Sequence, residues 1–326
     1  MLERGTILAS FPDRFPPVKQ DVTAPTAHNR HAKGREKFLA HLAMLAFAVL
    51  IGGSFSLGGL AAQHVPAASL QVMRYLMTIV VLGVMTFAIL RVPFSFPVQP
   101  WRFAILGGLM SIYMLTMFLA LEITSPVATG AVFTLMPLMA AGFALVLLGQ
   151  RTRLGVLASL VIAAVGAIWV IFRGNIDALL SFDVGRGELI YFVGVVCHAM
   201  YVPLLRKYDR KENALAFGFW MAIATAFFLL LPAAPELPGI AFAELPGVVW
   251  IALAYLSVVT TAITFLLLQY ASLRLPSSKV LAYGYLTPTV VIVMEGLLGH
   301  GWATAPVFAG ALVTACGLVV MAMLPD

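Results

Sequence analysis

Apolar runs of about 20 residues recur along this chain from Phe38 almost to its end. One α-helix needs roughly that length to cross the ~30 Å hydrocarbon layer of a bilayer. Ten runs are legible: 38–60, 68–90, 101–121, 125–149, 154–172, 187–205, 214–234, 247–273, 276–299 and 302–323. Lipid offers the backbone no hydrogen-bond partner, so a spanning segment is a helix or a strand of a closed barrel. Long runs without the alternation of barrel strands point to helices. The expected fold is therefore an all-α integral membrane protein with ten transmembrane helices. Composition agrees. The 326 residues are 61% apolar and 10% charged, with a mean hydropathy of +0.98. A soluble domain has roughly 45–50% and ~25% respectively. A soluble enzyme, a nucleic-acid-binding module and a disordered scaffold are excluded on that ground.

Residues 1–37 differ from the rest. They carry seven Lys/Arg, four acids and four prolines without an apolar run, which predicts a disordered tail. If that tail lies inside, the inner segments also hold Arg91, Arg102, Arg151, Arg153, Arg206, Lys207, Arg210, Lys211, Arg274 and Lys279. The outer connections hold only Arg173 and Arg186, beside Asp177, Asp183, Glu188, Glu236 and Glu244. The positive-inside rule then places both termini in the cytoplasm of a cell whose inner or plasma membrane holds the chain.

Shifting residues 131–166 by 151 positions superposes Pro137 on Pro288 and Gly166 on Gly317, along with several Ala, Leu and Val pairs. Pro126 and Pro276 open the fourth span of each half. Five spans per half is an odd number, so the second half runs through the membrane inverted. Inverted repeats mark secondary transporters whose site lies between the repeats near the midplane. Helix kinks are expected at Pro137 and Pro288, well inside their spans.

The chain resembles the EamA-type members of the drug/metabolite transporter superfamily. In the first half the resemblance is carried by IGGSF (51–55), the arginine of LQVMRYL (70–76) and SPVATGAVFTLMPLMAAGFALVLLGQ (125–150). In the second half it is carried by CHAMYVPLLRKY (197–208), SLRLPSSKVLAYGYLTPTVVIVMEGLLGH (272–300) and the last span through Gly317. It implies a first five-helix repeat over 38–172, an extracytoplasmic connection over 173–187 and a second repeat over 188–323. Where an acid often follows Leu-Leu-Gly in that family, this chain has Gln150 and His300.

A charge inside hydrocarbon costs at least ~2.5–3.5 kcal/mol and so marks a functional candidate. Arg74 in span two and Glu295 in span nine qualify, at similar estimated depth. They are read as groups that bind solute charge, pair with each other or gate the mouth. Against this stand snorkelling for Arg74 and a protonated, hydrogen-bonded acid for Glu295. His198 and Tyr201, three residues apart in span six, share a helix face, and histidine titrates near neutrality. Proton coupling is open to His198 and to Glu295. Ser54 stands in the small-residue stripe Gly52, Gly53, Ser56, Gly58 and Gly59, which suits close helix approach or a cavity wall. Tyr113, Thr116, Thr129, Thr134, Tyr283, Tyr285 and Gln269 are polar or aromatic at mid-depth and suit either an amphipathic pocket or ordinary packing.

No HExxH, G-x-S-x-G or GxxxxGK[ST] motif occurs. Cys197 and Cys316 lie in apolar runs, and no metal spacing, cofactor or nucleic-acid partner is implied. The resemblance implies movement of small organic solutes such as amino acids, metabolites or toxic compounds, most often outward. The rival readings are an intramembrane enzyme acting on lipid-linked substrates and a membrane scaffold without transport.

Overall fold

The computed structural model describes residues 34–323 except 182, 209, 211, 273, 276–279 and 281–282, and leaves out the side chains of 262, 265, 269, 272, 318 and 321–323. The expected tail lies outside the described residues except at its end, because the first helix, α1 (Arg35–Ala62), begins two residues before it was expected to finish. Pro276, Lys211 and Lys279 also fall outside.

Among the described residues the chain is helical and has no strand. α2 (Ala67–Gly83) runs on into a π-helical stretch, Val84–Ile89. α3 (Trp101–Ile123), α4 (Pro126–Phe133), α5 (Met136–Leu148) and α6 (Leu154–Ile171) follow. A short α7 (Ile176–Leu180) lies in the central connection. Then come α8 (Arg186–Tyr208), α9 (Ala214–Ala233) and α10 (Gly247–Ala254), which widens into π-helical Tyr255–Ile263 and narrows again as α11 (Thr264–Ser272). α12 (Thr287–Leu297) and α13 (Ala305–Met323) close the chain.

Eight of these helical stretches are long and apolar enough to cross a membrane. The ninth and tenth expected spans fall where described residues are interrupted. α12 is left with 11 residues, and α13 has a described apolar segment only from Ala305 to Gly317.

Local chemistry sets the helix ends. The Ser125 hydroxyl accepts from the Ala128 N–H at the start of α4, with Pro126 following, and Asn213 accepts from Leu215 and Ala216 N–H at the start of α9. These are the first-turn amides that a helix cannot satisfy itself. Gly149 ends α5 in the left-handed region at φ 66°, where a side chain would be strained.

The kinks expected at Pro137 and Pro288 are corrected. Neither proline bends a continuous helix. Each occupies the first turn of a new one, α5 or α12, where its missing N–H has no intrahelical partner to lose. The fourth span is broken at 134–135, whose amides bond three residues back to Ala131 and Val132. A tight 3₁₀ turn, Tyr283–Leu286, precedes α12 in the same way. The prolines that do lie inside helices are Pro203 in α8 and Pro232 in α9.

Glycine permits close helix contacts. α6 and α13 pack together at Gly166, Gly310 and Gly317. A Cβ on Gly166 would stand 2.6 Å from the Gly310 carbonyl oxygen, and one on Gly317 would stand 2.9 Å from the Ala163 Cβ. The stripe in α1 is used likewise: a Cβ on Gly53 would lie 2.6 Å from the Tyr255 hydroxyl oxygen. Gly142 in α5, by contrast, has open space around it.

Gly166→Ala should therefore destabilise by about 1–3 kcal/mol, the cost of forcing a methyl into a packed contact. Gly142→Ala should be neutral or stabilising. Thermal unfolding of both variants in detergent checks this, and equal midpoints would refute the packing argument.

Candidate functional site

A cavity of about 320 Å³ opens among α2, α3, α8, α9 and the π-helical stretch that leads into α11. α2 contributes Arg74, Tyr75 and Thr78, and α3 contributes Met110 and Met114. Tyr201 comes from α8, Met221 and Thr225 from α9, Thr260 and Thr261 from the π-helical stretch, and Thr264 from the start of α11. The volume is at the lower end of the roughly 300–1,000 Å³ typical of ligand pockets.

Arg74 sits seven residues into α2, about 10 Å along the helix at ~1.5 Å per residue. From there the lining follows α2 to Leu82, and it includes the start of α9 at Ala214 and Leu215. Those residues belong to the end of the bundle where α1 begins and where Arg91, Arg102, Arg206 and Arg210 stand. We name it the basic end. The opposite end carries Glu122, Glu188, Glu236 and Glu295 and is named the acidic end. The cavity thus reaches the basic end, with Arg74 deep within it.

The guanidinium of Arg74 is held only loosely. One Nη is 3.5 Å from Gln71 Oε1 and 3.3 Å from Met114 Sδ, and the other is 3.5 Å from Thr260 Oγ1. Good N–H···O bonds are 2.7–3.2 Å long. Its backbone is better fixed, since the Ser257 hydroxyl donates to the Arg74 carbonyl at 3.1 Å. That contact ties α2 to the π-helical stretch, a distortion often found at functional sites. Several threonines spend their protons on their own helices: Thr225 donates to Met221 O at 2.8 Å, Thr260 to Leu256 O at 2.6 Å and Thr264 to Thr260 O at 2.8 Å. Their remaining lone pairs are acceptors.

His198 and Tyr201, on one face of α8, stand with ring centroids 5.8 Å apart. Tyr113 stacks on His198 at 4.2 Å, and the Tyr191 hydroxyl donates to that of Tyr113 at 3.3 Å. Of this cluster only Tyr201 lines the cavity. Ser54 is buried and donates to Ile51 O at 2.6 Å, within its own helix. Thr116, Thr129 and Thr134 also bond their own backbone. The Tyr283 hydroxyl is 2.8 Å from His41 Nδ1, away from the cavity. Gln269 belongs to α11, and its side chain lies outside the described residues.

Glu295 is not with Arg74. Its Oε2 lies 2.9 Å from His300 Nδ1, and its buried Oε1 has no partner. It lines a separate space of about 550 Å³ at the acidic end together with Arg173, Glu188, His300 and Trp302.

Sequence reading missed Thr225, Met110, Met114 and the threonines of 257–264. A signal existed for the last group: Ser257, Thr260, Thr261 and Thr264 are spaced as one helix face. It also missed the buried role of Arg102, which was counted only as a loop charge. Arg102 is 1% exposed, donates to Tyr208 O and Val98 O at 2.7 Å each, and forks onto Glu212 at 2.8 and 3.2 Å.

With this geometry described, comparison with known proteins identifies the chain's relatives. Residues 185–323 match the EamA-like transporter family. An uncharacterized transporter of Bacillus subtilis (strain 168), YyaM, is 25% identical over 207 residues, covering 62% of this chain and 68% of its own. A solved crystal structure of a protein 19% identical superposes with a TM-score of 0.63, over 90% of this chain and 100% of its own. At that identity the likeness speaks of the fold alone. The chain thus combines, among its described residues, eight helices long and apolar enough to cross a membrane with a second half similar to a transporter family, and α8 and α9 of the matched segment supply Tyr201, Leu215, Met221 and Thr225 to the cavity wall.

Because Arg74 and Glu295 face different cavities and share no partner, the stability losses of Arg74→Gln and Glu295→Gln should add within about 0.3–0.5 kcal/mol. A double-mutant cycle by thermal or denaturant unfolding checks this. A coupling above ~1 kcal/mol would contradict the separation.

Proposed function

We propose that the chain is a ten-span, inverted-repeat secondary transporter that carries a small organic solute through the cavity at Arg74. The observation that supports this is a cavity walled by both halves of the chain, with a guanidinium from α2 opposite Thr260 from the π-helical stretch. Helix packing supports the repeat. α3 lies on α8 as α1 lies on α10 and α11, and α5 lies on α8 as α1 lies on α12. The pairs α2 with α9, α4 with α12 and α6 with α13 each join one span to its counterpart in the other half. Exchanging the halves maps these pairings onto one another. Broken helices stand at matching places, before α5 and before α12, as transporters place them.

The basic end is cytoplasmic by the positive-inside rule, so the cavity is reached from the cytoplasm, where an exporter loads. Arg74, Tyr201 and Thr225 are its solute-contacting residues. Glu295, 2.9 Å from His300 and near Glu188 and Arg173, is the candidate coupling group of the outer side, where proton binding would accompany solute release. The similarity of residues 185–323 to a transporter family favours this reading over an intramembrane enzyme.

Solute exchange across reconstituted vesicles tests it. Gly218→Phe, which fills the cavity beside Leu82, should abolish exchange while leaving the melting temperature within a few degrees of wild type. Glu295→Gln should flatten the pH dependence of exchange without abolishing it. Undiminished exchange in Gly218→Phe would refute the cavity as the route, and an unchanged pH profile in Glu295→Gln would remove its coupling role.

A further inference from the structure

Two arginines are enclosed in this bundle, and their surroundings differ. Both Nη groups of Arg102 are engaged by two backbone carbonyls and the Glu212 carboxylate, all between 2.7 and 3.2 Å, and only its Nε lacks a partner among the described residues. A guanidinium presents five N–H donors in a rigid fork. Among the described residues Arg74 meets a neutral amide oxygen at 3.5 Å, a thioether at 3.3 Å, a hydroxyl at 3.5 Å and the face of the Tyr75 ring at 5.8 Å. Among the described residues no carboxylate pairs with it. Gln71, wholly buried beside it, turns Oε1 toward Arg74 and leaves its Nε2 without an acceptor. That corner of the cavity therefore has a surplus of donors and one uncompensated positive charge. A cation taken out of water is costly unless it is paired.

The acids that could have served it are committed elsewhere. Glu122 accepts from the Ala67 N–H at 2.8 Å, Glu236 from the Ser69 hydroxyl at 2.8 Å and Glu188 from the Thr124 hydroxyl at 2.9 Å, while Glu295 lies against His300. None of the residues lining the Arg74 cavity is Asp or Glu. An organic cation, or the ammonium group of a zwitterion, would enter a space that already holds a positive charge and would find no counter-charge. The remaining wall is apolar at Met110, Met114, Met221 and Leu215, with threonine lone pairs between. Methionine side chains adapt to irregular apolar bodies, and the lone pairs accept from neutral hydroxyl or amide groups.

We propose, resting on the transporter reading above, that the solute is a small organic monoanion. Its carboxylate, or an equivalent acidic group, is forked on Arg74, and its apolar body lies among the methionines. The occupied cavity is then neutral, with the Arg74 Nη donors filled in the way the Arg102 Nη donors already are.

Thermal stabilisation of the purified full chain tests the assignment, because a ligand that binds the folded state raises its melting temperature by mass action. The probes are 3-phenylpropanoate, benzoate and 4-methylpentanoate, each beside its neutral amide and its matching amine, with phenylalanine and leucine as zwitterions. At millimolar concentration the carboxylates should stabilise the wild type, and the amides, amines and zwitterions should not. Arg74→Gln should weaken carboxylate binding by about 10- to 100-fold, the worth of a hydrogen bond to a charged group, and Arg74→Lys should restore part of it. Amines or zwitterions that stabilise the wild type as well as carboxylates do would overturn the assignment. So would carboxylates that stabilise Arg74→Gln undiminished, or that fail on the wild type. Should Arg74→Gln not fold, the wild-type series decides alone. Exchange across vesicles separates the two readings. A stabilising carboxylate that never crosses would sink transport and leave the anion site. A zwitterion that crosses would sink the anion site and leave transport.

Discussion

A peptide group surrounded by hydrocarbon has no water to bond, and that single constraint organises this bundle. It makes the spanning segments helices, and it decides where they are allowed to fail. The break before α5 is enclosed at Thr134, which is buried, and its amides close a tighter turn onto Ala131 and Val132. The turn before α12 encloses Tyr285. The π-helical stretch between α10 and α11 buries Leu256 and Ser257, and Thr260 and Thr261 both donate to the Leu256 carbonyl. Irregular backbone thus appears where neighbouring helices or a cavity cover it. The glycines that let α6 and α13 touch serve the same end, because close contact encloses without help from a hydrophobic drive that lipid does not supply.

Electrostatics then divides the molecule by length. Basic residues gather at one end and carboxylates at the other, each satisfied locally: Arg102 with Glu212 at the basic end, and Glu122, Glu188 and Glu236 with an amide and two hydroxyls at the acidic end. These contacts fasten loops and helix ends. Arg74 lies between the two ends and is left with neutral contacts only. A charge that the protein desolvates yet does not pair is ill explained by packing and well explained by a ligand.

Much of this was legible from sequence because one physical signal, a run of about 20 apolar residues, survives without knowledge of any neighbour. The helix ends at Trp101, Pro126, Leu154 and Ala214 stand where those runs begin. Arg74 and Tyr201 were legible too, as a costly charge and a polar ring at mid-depth. What sequence could not supply was partnership. Arg74 and Glu295 share an estimated depth, yet depth along two helices says nothing of which faces meet, and the acid went to His300 instead. Pro137 and Pro288 were misread as kinks because a proline inside an apolar run looks alike whether it bends one helix or starts another. The threonines at 260, 261 and 264 went unread, because nothing in an apolar run says that this face meets Arg74, as Thr260 does.

The proposed route is a cavity that reaches the basic end, proposed above to be cytoplasmic, and holds Arg74 deep within it. The most direct measurement places a single cysteine at Thr261, with Cys197 and Cys316 replaced by serine, and follows its reaction with a membrane-impermeant thiol reagent in oriented vesicles. Labelling from the cytoplasmic side alone, in the absence of solute, is the predicted result. Labelling from the outer side alone, or from neither side, would contradict it.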